Sequence, residues 1–69
     1  MENYDDKFIE GETYEKDGKS FLVMAVDTID DEEAWLAILW VDADGNSGEA
    51  DEICIKESDY DNWKIREFN

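Results

Sequence analysis

Ala34–Val41, AWLAILWV, is the segment whose reading decides the fold. Two readings compete. Ala and Leu favour a helix, and the preceding Thr28–Glu33, TIDDEE, offers a Thr or Asp followed by Glu that could cap one. Against this, the run is only eight residues long, stops at the turn Ala43-Asp44-Gly45-Asn46, and holds two Trp, one Ile and one Val. Length, bounding turn and side-chain type together favour a strand. Alternate residues of a strand share a face, so Trp35, Ala37, Leu39 and Val41 oppose Leu36, Ile38 and Trp40. Both sets are apolar. One fills the core. The other must be covered by the N-terminal strand, the last strand, a second copy of the chain or a partner.

The rest of the chain reads outward from this segment. Lys19–Asp27, centred on FLVMAV, is a second β-rich run. Before it, Lys16-Asp17-Gly18 carries the Asp-Gly pair of a tight hairpin, and Phe8–Glu15 reads as a first strand interrupted by Gly11. Thr28–Glu33 is an acidic loop. After Ala43–Asn46, Ser47–Ile55 forms a fourth strand. Lys56–Asn62, KESDYDN, reads as one turn of 3-10 or α-helix, and Trp63–Phe68, WKIREF, alternates as a fifth strand. Residues 1–6 are polar and expected to be flexible. Residues 7–69 are expected to form a single small domain.

Two hairpins, an acidic loop between them and a helical turn before a short last strand resemble the SH3-like barrel over about Phe8 to Phe68. The resemblance is one of topology, since neither an ALYDY signature nor a Pro-rich-ligand motif occurs. It implies an all-β, five-stranded barrel with one short helical turn before the last strand. Closure would also remove the exposed edges of such apolar strands.

The chain has 69 residues, a net charge of −15, 42% hydrophobic and 13% aromatic residues. That is too apolar for disorder. The charge argues against direct binding of nucleic acid or an anionic membrane, both of which would repel it. The single cysteine, Cys54, excludes an intramolecular disulfide and fits a reducing cytoplasm. MENYDDKF has no apolar run, so no signal peptide is expected, and AWLAILWV is too short to span a bilayer.

The charge is unevenly placed. Between Lys19 and Lys56 there is no Lys, Arg or His, yet ten acids: Asp27, Asp30, Asp31, Glu32, Glu33, Asp42, Asp44, Glu49, Asp51 and Glu52. Spread over the roughly 4,500 Å² expected of a globule this size, the net charge gives about one per 300 Å², a third of the density of duplex DNA. Clustering raises it. TIDDEE and the segment from Asp42 to Glu52 would lie at opposite ends of strand three, about 25 Å apart if it is extended. In composition the chain resembles small phage-encoded inhibitors that imitate DNA and occupy restriction enzymes, CRISPR effectors, repair enzymes or nucleoid proteins. That resemblance implies a basic nucleic-acid-binding protein as partner and competitive occlusion as mechanism. The expected contact residues are Asp30, Asp31, Glu32, Glu33, Asp42, Asp44, Glu49, Asp51 and Glu52, with Tyr60 as an exposed aromatic. The competing reading is that the acids only keep a small domain soluble.

Other constellations point to less. Asp42-Ala43-Asp44-Gly45-Asn46 suggests a calcium loop, but the sixth and twelfth positions would be Ser47 and Ile53, where an EF-hand needs Gly and Glu. A hairpin turn is the simpler reading, leaving at most weak, non-specific divalent binding. Tyr4, Tyr14, Trp35, Trp40, Tyr60 and Trp63 could form a peptide groove of SH3 or Tudor type, although Trp35 and Trp40 read as core. Ser58 reads as a helix cap rather than a phosphosite. Cys54, between Ile53 and Ile55, reads as buried, with no His to pair with. No enzyme activity, metal or cofactor is expected. Alternatives to the DNA-mimic reading are the peptide-binding module and a structural subunit, in which a homodimer or larger assembly covers the second apolar face.

Overall fold

The computed structural model describes residues 7–67; the flexible start expected for residues 1–6 and the Phe68 end of the fifth strand lie outside them. The chain is all-β. Its strands are β1 (Thr13–Lys16), β2 (Lys19–Ile29), β3 (Glu33–Val41), β4 (Ser47–Lys56) and β5 (Lys64–Ile65), with a 3-10 helix at Glu57–Asn62 before the last. All neighbours are antiparallel, in the order β4-β3-β2-β1-β5.

AWLAILWV is a strand, and the hydrogen bond that suggested a helix cap is nevertheless made. Asp30 Oδ1 accepts from the amides of Glu32 and Glu33 at 2.8 and 2.9 Å. The Asp30 amide in turn donates to the Glu33 carbonyl, closing a tight β2–β3 connection. An Asp side chain serves a turn as readily as a helix start, so the local signal was real and its sequel was decided by the β-rich run that follows. The acidic loop is correspondingly shorter than Thr28–Glu33: Thr28 and Ile29 still pair, with Trp35 and Ala34.

At the β1–β2 turn, Asp17 and Gly18 have φ of 51° and 84°. Two successive left-handed residues match the twist of a two-residue hairpin, which is why Asp-Gly sits there. β1 is shorter than Phe8–Glu15. Its pairing ends around Gly11 and Glu12, which exchange backbone bonds with Val23. Beyond that point the chain turns, and Phe8 enters the core.

The core lies on one face of the sheet: Phe8, Tyr14, Phe21, Val23, Ala34, Leu36, Ile38, Ile55 and Tyr60. Rings carry much of it. Phe8 meets Tyr14 and Tyr60 edge-on at 5.1 and 5.6 Å, and Trp63 packs on Phe21 at 4.7 Å. Each fully buried Phe or Leu contributes about 1.5–3 kcal/mol. Trp63 accordingly leaves the strand pattern, and β5 keeps only Lys64 and Ile65 of the expected Trp63–Phe68.

The expected closed barrel is corrected to an open sheet whose edges are β4 and β5. Side chains bridge part of what backbone pairing does not. The Arg66 amide continues the β5 line by donating to Thr13 at 2.7 Å. Its guanidinium donates to the carbonyls of Asp42 and Ala43 and to Ser20 Oγ, which ties the end of the chain to the β3–β4 turn. Two residues of β5 are too few to carry a ladder as far as β4.

Candidate functional site

The nine acids expected to meet a partner fall into three groups. The first is the β2–β3 turn. Asp30 is spent on the turn itself, and the two amides it accepts hold its carboxyl below the usual range. Glu33 starts β3 and accepts from Lys56 Nζ and Trp35 Nε1, both at 2.6 Å. These bonds lower the Glu33 pKa and raise that of Lys56. Asp31 and Glu32 are exposed, and among the described residues their side chains make no hydrogen bond or ion pair.

The second group is the β3–β4 turn. Asp42 Oδ1 accepts from the amides of Asp44 and Asn46, and the Asp42 carbonyl accepts from Gly45. The carboxylate thus organises the hairpin turn. Among the described residues no cluster of acids, Cys or His is suited to a metal ion. Among the described residues the Asp44 carboxylate makes no hydrogen bond or ion pair.

The third group corrects an expectation. Asp51 and Glu52 do not gather with Asp42 at one end of β3; of the three β4 acids only Glu49, between Ala50 and Ser47, stays near that end. β4 runs back along β3, pairing Asp51 with Ile38 and Glu52 with Ala37. Asp51 and Glu52 therefore lie beside the middle of the strand, and all three acids are on the exposed half of an edge strand. They line the β4 edge between the two acidic turns, Glu52 on the outer face with Ala37 and Asp51 on the face of Ile38, over about 26 Å at the usual rise for a strand of nine residues. Asp51 is held by Trp40 Nε1 at 3.1 Å; Glu49 is unpartnered among the described residues.

Most of the bases sit elsewhere. Lys7 and Lys16 reach Asp61 and Asp59 of the 3-10 helix, both at 2.6 Å. Lys64 is on β5, Lys19 opens β2, and Arg66 is engaged with carbonyls. Lys16 Nζ also lies 5.3 Å from the Trp63 ring centre. Lys56 stands among the acids of β3 and β4, paired with Glu33, and Arg66 lies against the second acidic turn through its Asp42 and Ala43 carbonyls.

Two aromatic expectations are reversed. Tyr60 is 3% exposed: the 3-10 helix turns its ring into the core, where its hydroxyl donates to the Asp30 carbonyl at 2.9 Å. It is not a surface aromatic, and with Trp63 packed on Phe21 the pair does not form a cage. Trp35, expected in the core, is 40% exposed. Its set, with Ala37, Leu39 and Val41, lies on the face opposite the buried Ala34, Leu36 and Ile38.

β2 extends this outer face through two bulges, after Val23 and after Val26. The first sets both Met24 and Ala25 against Ala37, leaving Met24 50% exposed. The second sets Asp27 and Thr28 against Trp35. Across β3 stands Glu52. Its pKa is raised, chiefly by a hydrogen bond and charge repulsion with the Asp27 carboxyl. Asp27 was absent from the expected contacts because nothing in FLVMAVDTI marks a bulge. Cys54, opposite Trp35, is half-buried rather than buried.

No helix among the described residues is long and apolar enough to cross a membrane. No family model matches the chain, and no curated protein and no solved structure is significantly similar to it.

Proposed function

We propose that this protein is a non-catalytic acidic binder that occupies the basic, nucleic-acid-binding surface of another protein in place of DNA or RNA. One observation carries the reading: the run of carboxylates from Asp30–Glu33 along Glu52, Asp51 and Glu49 to Asp42 and Asp44, with only Lys56, paired with Glu33, and Arg66, held on the Asp42 and Ala43 carbonyls, as bases beside it. Averaged over an accessible surface of 4773 Å², the net charge of −15 is sparse beside DNA. Concentrated along one edge it offers a partner closely spaced anions, and residues two apart on a strand are about 7 Å apart. Carboxylates there would pair with Arg and Lys that otherwise hold phosphates, and the field of the row would speed encounter. A phage-type inhibitor of a host restriction, CRISPR, repair or nucleoid protein, acting in the host cytoplasm, is the specific form of this proposal.

The acids that organise turns, Asp30 and Asp42, explain themselves without a partner. Asp31, Glu32, Asp44 and Glu49 do not, and on this reading they are the contact residues. The experiment is an affinity pull-down from a bacterial lysate at about 0.15 M and about 0.5 M salt, where screening differs roughly twofold in length, with DNA added as competitor. Retention of one nucleic-acid-binding protein that DNA displaces supports the proposal. Scattered basic proteins that all wash off at high salt would reduce the charge to a solubility device.

A further inference from the structure

The outer face of β2, β3 and β4 is largely apolar and, among the described residues, left uncovered at Met24 and Trp35. Leu22, Leu39 and Ala50 form one row across the three strands, Ala25 and Ala37 a second that ends at Glu52, and Thr28, Trp35 and Cys54 a third. Met24 and Trp35 are its large exposed groups. A Trp that is two-fifths exposed over a sheet of Ala and Leu marks a contact surface more than a solvated one.

Charge decides what covers it. The face is bordered by Asp27 and Glu52 and, at one end, by the Glu33–Lys56 ion pair, so acids outnumber bases on its rim. A second copy would bring the same acids against themselves with a net charge of −15 on each chain. Residues 1–6 and 68–69 of this chain, MENYDD and FN, carry no Lys or Arg, so neither complements the rim. A nucleic acid is repelled. A cationic protein segment is attracted, and its apolar neighbours would find Met24, Leu22 and Leu39.

We propose that this face is the docking surface for an arginine-bearing basic segment of a partner protein, with the guanidinium stacked on Trp35 and bridging Asp27 and Glu52. The inference rests on the acidic-binder reading and locates its centre. The bulge after Val26 puts Asp27 beside Trp35, and the register puts Glu52 against Ala37, the next outward residue of β3. Two carboxylates thus flank a small side chain next to an indole, and among the described residues no base is bonded to either. The hydrogen bond and the charge repulsion that Asp27 exerts on Glu52 raise the Glu52 pKa, and a cation that binds both carboxylates relieves the repulsion. Arg fits better than Lys because a planar guanidinium stacks on an indole and binds two carboxylates at once.

The test is an NMR titration of the isotope-labelled full chain with an acetylated hexa-arginine amide, and in parallel with hexa-lysine, at about 0.15 M salt. The expected result is movement of the Trp35 indole N–H and of amides at Met24–Thr28, Ala37 and Glu52, with hexa-lysine several-fold weaker. Trp35→Ala should weaken binding about fivefold. Because that change also removes a bond to Glu33, the pair Asp27→Asn and Glu52→Gln, which keeps the apolar face, should weaken it comparably. Shifts confined to Asp31, Glu32 and Asp44, with these variants silent, would overturn the docking face and leave the acidic-binder reading standing. Absence of binding to either peptide overturns the docking face, and together with an empty pull-down it overturns the acidic-binder reading as well. A dimer in sedimentation that Trp35→Ala dissolves would make the occupant a second copy, against the proposal.

Discussion

The hydroxyl of Tyr60 donates to the carbonyl of Asp30 at 2.9 Å, joining the buried face of the 3-10 helix to the acidic turn between β2 and β3. The same junction is made by the Glu57 amide, which donates to the Glu32 carbonyl. The turn that carries Asp31 and Glu32 is therefore anchored from beneath, and its two free carboxylates are presented by a fixed backbone.

Tyr60→Phe keeps the ring packed on Phe8 and deletes that bond. It should cost about 0.5–1.5 kcal/mol, read as a lower denaturation midpoint. Tyr60→Ala empties the core site and should cost about 3–5 kcal/mol. Amide exchange at Asp31 and Glu32 should speed up in the Phe variant more than exchange at the distant β1–β2 turn.

Arg66 joins the end of the chain to the β3–β4 turn through the carbonyls of Asp42 and Ala43. Arg66→Ala should lower stability by about 1.5–3 kcal/mol, the range for hydrogen bonds from a charged group. Arg66→Lys should recover little of it, because one ammonium does not reproduce a fork that reaches two carbonyls and a hydroxyl. Urea denaturation of both variants checks this. A lysine variant as stable as the parent would mean that charge alone holds the turn.

The strand count, the Asp17-Gly18 hairpin and the strand identity of Ala34–Val41 were legible because each is a local property. Asp-Gly supplies the left-handed backbone that the turn requires, and a β-rich run of eight bounded by turns has few alternatives. Which face of β3 would be buried was not legible, since Trp35, Ala37 and Leu39 are as apolar as Leu36 and Ile38. That choice is made by long-range packing of Phe8, Phe21 and Tyr60. The bulges that bring Asp27 to Trp35 leave no mark in FLVMAVDTI. Placing Tyr60 at the surface failed for a related reason: a polar heptapeptide, KESDYDN, hides a single inward residue. The acids were visible as a group, but only register shows that Glu49, Asp51 and Glu52 run beside β3 instead of beyond its end.

The carboxylates fall into two classes with opposite pH behaviour. Asp59 is held below its ordinary 3.8 by Asn62, Lys16 and Trp63, and Asp61 by Lys7. A depressed folded-state pKa contributes stability above the unfolded value, lost as pH falls through the folded one. Glu52 is raised above 4.5 by Asp27, so its ionisation opposes folding and its protonation favours it. On acidification from neutral, stability should first rise as Glu52 takes up a proton, then fall once the pH drops below the ordinary Asp value and Asp59 and Asp61 titrate. Glu52→Gln should raise the melting temperature at neutral pH and abolish the first limb. Asp59→Asn should lower it at neutral pH, with the difference vanishing in strong acid. Thermal melts across the acid range check both signs.

Salt should act on folding and on binding in opposite directions. Screening relieves self-repulsion along β4, so the melting temperature should rise between about 0.02 M and about 0.5 M salt, while affinity for a basic partner falls. Charge reversal separates the two effects residue by residue. Among the described residues the carboxylates of Asp31, Glu32, Asp44 and Glu49 hold no other group, so Asp31→Lys with Glu32→Lys, or Asp44→Lys with Glu49→Lys, should leave the fold intact and raise its stability slightly. The same changes should slow association with the captured partner about tenfold or more and flatten its salt dependence. Reversal at Asp30 or Asp42 should instead weaken the fold, because those carboxylates hold turn amides. Stopped-flow association rates for the two double variants, set beside their melting curves, are the check. Unchanged rates in both would remove the acid row from the interface and leave Trp35 and its neighbours to account for binding.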